Sequence, residues 1–189
     1  MKKKIFGIFC IVLIFGMLGS LSVKGYNIYK ENGFSPVPAY IYCYSGFSGE
    51  TMTAVHNGCV AWNNGGQGTL VYRSTSTHNV TEFPLQNTYN QITKGQRGTN
   101  SYLMGTRVVY MNSNTIYEAD IDINVSHPFG TATTSYDTRT VITHEIGHLL
   151  GLNEEPEFRE SVMYPERRTG ERVHSLSNDD KEGLAAIYN

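Results

Sequence analysis

Apolar and polar positions mark out the elements before any chemistry is considered. Residues 39–44 (AYIYCY) set Ala39, Ile41 and Cys43 against Tyr40, Tyr42 and Tyr44, which predicts a strand. Over 49–64 the period lengthens. Met52, Val55, Cys59 and Trp62 recur at helical spacing as core residues, and Asn64-Gly65-Gly66 ends the helix. Residues 69–73 (TLVYR) predict a second strand. Residues 74–101 are rich in Ser, Thr, Asn, Gln and Gly and read as a long exposed loop with at most one short strand. Two more strands are predicted at 106–111 and 115–124. The second mixes Ile116, Ile121 and Ile123 with Glu118, Asp120 and Asp122. Those acids read as a solvated strand face; a structural calcium ion (Ca2+) is the alternative.

Residues 137–152 (DTRTVITHEIGHLLGL) predict a helix. Asp137 can cap its start, Gly151 can end it in a left-handed turn, and Val141, Ile142, Ile146, Leu149 and Leu150 give it an apolar side. Ser177 and Asp180 form a capping box for a last helix running to Ile187-Tyr188. Residues 26–38, with Pro36 and Pro38, are a short extended lead to a single domain at 39–189.

The first 25 residues stand apart. Met1 to Lys4 is positive, Ile5 to Leu18 is apolar apart from two glycines, and small or polar residues follow. That order is a secretory signal peptide over 1–25, with cleavage after Gly25 or after Ser22. An uncleaved anchor is the alternative, although the apolar run is short and diluted by glycine. The segment holds four lysines and no acid, so setting it aside takes the net charge from −2 to −6. An acidic body argues against nucleic acid as a partner, and cleavage of the signal leaves no stable membrane association expected. The remaining cysteines, Cys43 and Cys59, are an even pair in an exported chain. They read as a disulfide tying the first strand to the first helix, with two buried thiols as the alternative.

Chemistry concentrates on the 137–152 helix. His144 and His148 lie one turn apart, so two imidazole nitrogens can point at one spot, as a zinc site requires. Glu145, next around the axis, can reach a water at such a metal. Two histidines do not complete a site, and Gly151 permits a sharp reversal into Leu152-Asn153-Glu154, whose carboxylate is a candidate third ligand. Glu155, Glu157 and Glu160 are the substitutes in the same acidic stretch.

The run His144-Glu145-x-x-His148-x-x-Gly151-x-x-Glu154, followed by Ser161-Val162-Met163-Tyr164-Pro165, resembles the metzincin clan of zinc peptidases, in its matrixin-like branch. Leu176-Ser177-Asn178-Asp179-Asp180 resembles the start of the closing helix of that branch. The resemblance covers about residues 39–189. It implies an α+β fold: a twisted mixed sheet packed on two long helices, then a small C-terminal subdomain with a methionine turn and a closing helix. It implies one catalytic Zn2+ on His144, His148 and Glu154, with Glu145 as general base in peptide-bond hydrolysis. Metzincins usually place His, less often Asp, where this chain has Glu154. Met163 is implied as a packed floor, with Asp179 and Asp180 bracing its turn by hydrogen bonds, a surface role for one of the two being the alternative. Pro165 and Arg167 fall where matrixins wall their main specificity pocket, commonly with Tyr at the second position. Arg167 could favour acidic side chains, but reads first as part of a solvated loop. Substrate is expected to lie along an exposed strand edge within 106–124.

The expected protein is therefore a secreted, monomeric zinc endopeptidase acting on proteins or peptides. A non-catalytic zinc-scaffold binding protein is a second reading, against which Glu145 stands. A gluzincin-type peptidase is a third, which leaves Gly151 and Met163 unexplained.

Overall fold

The computed structural model describes residues 26–112 and 114–189; the expected leader over 1–25 lies outside them. Among the described residues no helix is long and apolar enough to cross a membrane. In chain order the elements are β1 (Ala39–Tyr44), α1 (Gly49–Asn63), β2 (Val71–His78), β3 (Asn90–Gly95), β4 (Met104–Met111), β5 (Ile116–Asn124), the two-residue β6 (Phe129–Gly130) and β7 (Tyr136–Asp137), α2 (Thr138–Leu149) and α3 (Asn178–Tyr188).

Each helix starts where a side chain can accept an orphan N–H. Ser48 accepts from Thr51 N, Asp137 from Thr140 N and Ser177 from Asp180 N, the last within the expected capping box. The main sheet has the order β2-β1-β3-β5-β4. β1 runs parallel to β2 and β3, and β3 parallel to β5; only β4, on one edge, is antiparallel. α1 and α2 pack on each other, α1 against β2 and α2 against β4 and β5. Between them the fully buried Trp62 donates its indole N–H to Thr143 O at 2.7 Å. The α+β layering expected from the resemblance is the layering observed.

Three expectations are corrected here. First, the one short strand allowed within 74–101 is β3 (NQITKG), but it is an interior, buried strand and not part of an exposed loop, and β2 runs on to His78. β3 is polar because its buried Asn90, Gln91 and Thr93 are hydrogen-bonded: Asn90 Oδ1 accepts from Ala119 N, Gln91 N donates to Asp120, and Thr93 Oγ1 donates to Asp122. Second, the acidic face of β5 is not solvated. Glu118, Asp120 and Asp122 are at most 1% exposed, because the 85–103 segment folds over them. Third, Cys43 and Cys59 are free thiols and not a disulfide. Both are packed in the apolar core, where burial pushes them up to about 11 and about 12. They stay protonated and act as small hydrophobes.

The 26–38 lead is tied down at several points. Ile28 bridges Leu152 antiparallel and Phe34 bridges Ile116 parallel. Phe34 N donates to the Tyr188 hydroxyl, which itself donates to Leu150 O at the end of α2.

Candidate metal centre

α2 carries the centre, and its ending decides the centre's shape. Gly151 has φ +103°, so the chain reverses there, with Gly151 N donating to His148 O. A Cβ at this position would also meet Gly33 Cα at 2.8 Å, which leaves Gly as the residue that fits. The reversal brings residues 152–154 back beside the last turn of α2. Asn153 N donates to Asn27 O, and Asn27 Nδ2 donates to Glu154 O at 2.8 Å, so the lead clamps the returning segment.

His144, His148 and Glu154 then offer one ligand atom each within 4.8 Å of one another. The tautomers follow from the partners. His144 Nδ1 lies 2.9 Å from Val162 O, and His148 Nδ1 lies 3.0 Å from Leu152 O. A carbonyl only accepts, so each Nδ1 carries a proton and each Nε2 turns inward, where a neutral imidazole offers its lone pair. Those two Nε2 atoms face each other at 3.0 Å. Glu154 Oε1 is 3.6 Å from one and 3.5 Å from the other, too long for good hydrogen bonds. Its Oε2 is buried without a partner. Two lone pairs and a carboxylate converging in this way call for a cation between them. Two imidazoles and one carboxylate are a donor set that suits zinc with a fourth position open. Burial works to raise the Glu154 carboxyl, but the imidazole N–H groups of His144 and His148, in their charged form, would donate to it and attract it, and this outweighs burial and holds it down at about 2. Burial likewise works to lower His148, and Glu154 and Glu145 outweigh it in the other direction.

Glu154, and not a neighbour, meets the histidines because the acidic stretch is otherwise engaged. Glu155 is buried at 2%, its N–H donates to Met163 O, and its Oε1 accepts from Glu157 N. Glu145 is buried beside the triad. Thr106 on β4 donates to its Oε2 at 2.7 Å and to its backbone O at 2.9 Å.

Met163, 2% exposed, packs against the middle of α2. A Cβ on Gly147 would meet Met163 Sδ at 2.3 Å and Trp62 at 2.7 Å, so glycine in the middle of α2 is what lets the methionine approach. Asp180 fastens this turn to α3. Its Oδ1 accepts from Ser161 Oγ at 2.6 Å and its Oδ2 from Val162 N at 2.9 Å, while Oδ2 also serves the capping box at Ser177. Asp179 makes no such bond. It is partly exposed, and burial followed by the charges of Glu155 and Asp180 raises it to about 6. Of the two acids expected to brace the turn, Asp180 does so.

Arg167 departs from the solvated-loop expectation. Its side chain is 5% exposed and faces Glu171 at 3.6 Å. It donates to Ser161 O and, at 3.0 Å, to Val162 O, the carbonyl that also holds His144. Its charge is committed beneath the methionine turn, whereas Pro165 stays exposed. Sequence reasoning also missed Thr106, Gly147 and Asn27. Gly147, a helix-breaking residue in a strong helix, was the one signal present in the chain itself.

The matrixin family profile matches residues 61–189. Metalloendoproteinase 2-MMP of Arabidopsis thaliana is 40% identical over 77 residues, which are 41% of this chain and 19% of that protein. Metalloendoproteinase 1 of Glycine max is 39% identical over 56 residues, 30% of this chain and 18% of its own. The chain thus spans less than a fifth of the length of these relatives. The family match covers more than half of the sequence and includes α2, the returning ligand segment, the methionine turn and α3, and on that basis the chain belongs to the matrixin family.

Proposed function

We propose that this protein is a secreted zinc-dependent endopeptidase in which His144, His148 and Glu154 hold one zinc ion and Glu145 is the general base. The observation that carries this reading is the convergence of two inward-facing Nε2 atoms and a carboxylate, with a second carboxylate alongside. When bound, zinc supplies Lewis-acid polarisation of the scissile carbonyl and brings the pKa of a water toward neutrality. Glu145 takes a proton from the attacking water as the water oxygen joins the carbonyl carbon. It then gives that proton to the leaving nitrogen as the C–N bond breaks, so one water is consumed and a carboxylic acid and an amine are released, the acid's proton passing on to the amine to leave a carboxylate and an ammonium.

Substrate lies extended on the free edge of β4, pairing main chain to main chain. A cleft of ≈ 450 Å³ supports this placement, since Thr106, Arg107 and Val108 of β4 line it together with His148, Asn153 and Tyr29. It narrows the expected 106–124 edge to β4, because β5 is paired on both sides. The signal-peptide pattern of residues 1–25 supports action outside the cell.

The purified chain is expected to hold one zinc per molecule and to digest casein until a chelator is added. Glu145→Ala should keep its zinc and lose activity about 100-fold or more. Glu154→Ala should bind zinc more weakly. Stoichiometric zinc with no chelator-sensitive cleavage would leave a zinc-scaffold binding protein and sink the peptidase reading. Unchanged zinc affinity in Glu154→Ala would remove that residue from the ligand set.

A further inference from the structure

We propose that Thr106, on the substrate-facing edge strand, is a positioning residue for Glu145; this rests on the assignment of Glu145 as general base above. Thr106 Oγ1 lies 2.7 Å from Glu145 Oε2 and 2.9 Å from Glu145 O. An ionised carboxylate and a carbonyl both only accept, so the threonine hydroxyl is the donor, and its single proton is shared between side chain and main chain of the same residue. The donor is itself preset. Thr106 is β-branched, which restricts χ1, and it stands in the β4 ladder opposite Ile121.

The consequence is directional. A glutamate has three side-chain torsions to fix, and a general base acts only when one oxygen lies within about 2.6–3.2 Å of the proton it accepts. The hydroxyl occupies Oε2 and leaves Oε1 to take that proton. It also ties the base to β4, the strand on which substrate pairs, so base and substrate share one reference frame. Glu145 is buried, so without Thr106 its Oε2 would keep no fixed donor from β4.

The test uses the full zinc-loaded chain with Thr106→Val, which keeps the shape and removes the donor, and Thr106→Ser, which restores it. Thr106→Val is expected to lower kcat about tenfold or more on a fluorogenic peptide, with KM and zinc content within twofold of wild type. Thr106→Ser should recover most of that loss. A contact that merely holds β4 on α2 would change KM or stability and spare kcat. Wild-type kcat in Thr106→Val, or no recovery in Thr106→Ser, overturns the proposal. A second measurement needs neither zinc nor turnover: urea midpoints of the metal-free wild type, Thr106→Val, Glu145→Ala and the double variant. Non-additive shifts are expected, and additive shifts overturn the contact. Full activity in Glu145→Ala overturns the base assignment instead, which separates the two failures.

Discussion

Among the described residues, one cluster of buried acceptors on β5 and one of partly buried acceptors at the end of α2 solve the same electrostatic problem in opposite ways. On β5, Asp120 accepts from Leu85 N and Gln91 N, and Asp122 from Thr93, Arg97 and Tyr102. Both oxygens of each carboxylate meet donors supplied by the segment folded over them. At the end of α2 the donors point outward. The two Nδ1 protons go to Val162 O and Leu152 O, and what turns inward is two lone pairs and a carboxylate oxygen. The first cluster organises a loop; the second organises a cation. Acid count does not distinguish them, and the direction of the nearest N–H groups does.

Removing one inward-facing acceptor should show the larger effect. His148→Ala is expected to abolish stoichiometric zinc binding, by more than the roughly 10–100-fold that loss of an outer hydrogen-bond partner costs. Metal analysis after dialysis checks it. Retained zinc would place the cation on other residues and break the comparison.

Removing an acceptor from the satisfied cluster should act on stability alone. Asp122→Ala leaves Thr93, Arg97 and Tyr102 of the 85–103 segment without their shared acceptor and should cost about 3 kcal/mol in urea denaturation, with zinc content unchanged. A parallel loss of zinc would mean that the two clusters are coupled through the sheet.

The comparison also explains which parts of the fold were legible. α2 could be read from end to end, because its cap, apolar side, paired histidines and terminal glycine are all local signals. α3 was legible for the same reason, through the capping box at Ser177 and Asp180. β3 and the polar face of β5 were not, because Asn90, Gln91, Thr93, Asp120 and Asp122 satisfy one another across strands, and alternation of polar with apolar residues has the same look whether water or a folded-back loop covers the polar side. Arg167 was misread for a related reason: its partners are carbonyls at 161 and 162, which composition does not reveal. Thr106 carried no signal at all, since its partner lies 39 residues away on another element.

The smallest expected effect concerns Asp120, and it tests whether a satisfied acid is still an expensive one. Burial raises its carboxyl from 3.8 to about 6, with Glu118 adding to the rise and the N–H donors of Leu85 and Gln91 opposing it. Between those pH values the folded state therefore binds more protons than the unfolded state. The contribution of Asp120 to stability is complete below about pH 4 and is lost as pH rises through 6. Asp120→Asn keeps one acceptor oxygen and cannot ionise, so it removes this dependence while sacrificing part of the loop contact. The stability of Asp120→Asn relative to wild type should thus rise by about 2 kcal/mol between pH 4 and pH 7 and level off above that. Urea midpoints of both proteins across the range check it. A pH-independent difference would mean that the donors from Leu85 and Gln91 outweigh desolvation, in which case the β5 cluster stabilises charge as fully as the α2 cluster would with its cation in place.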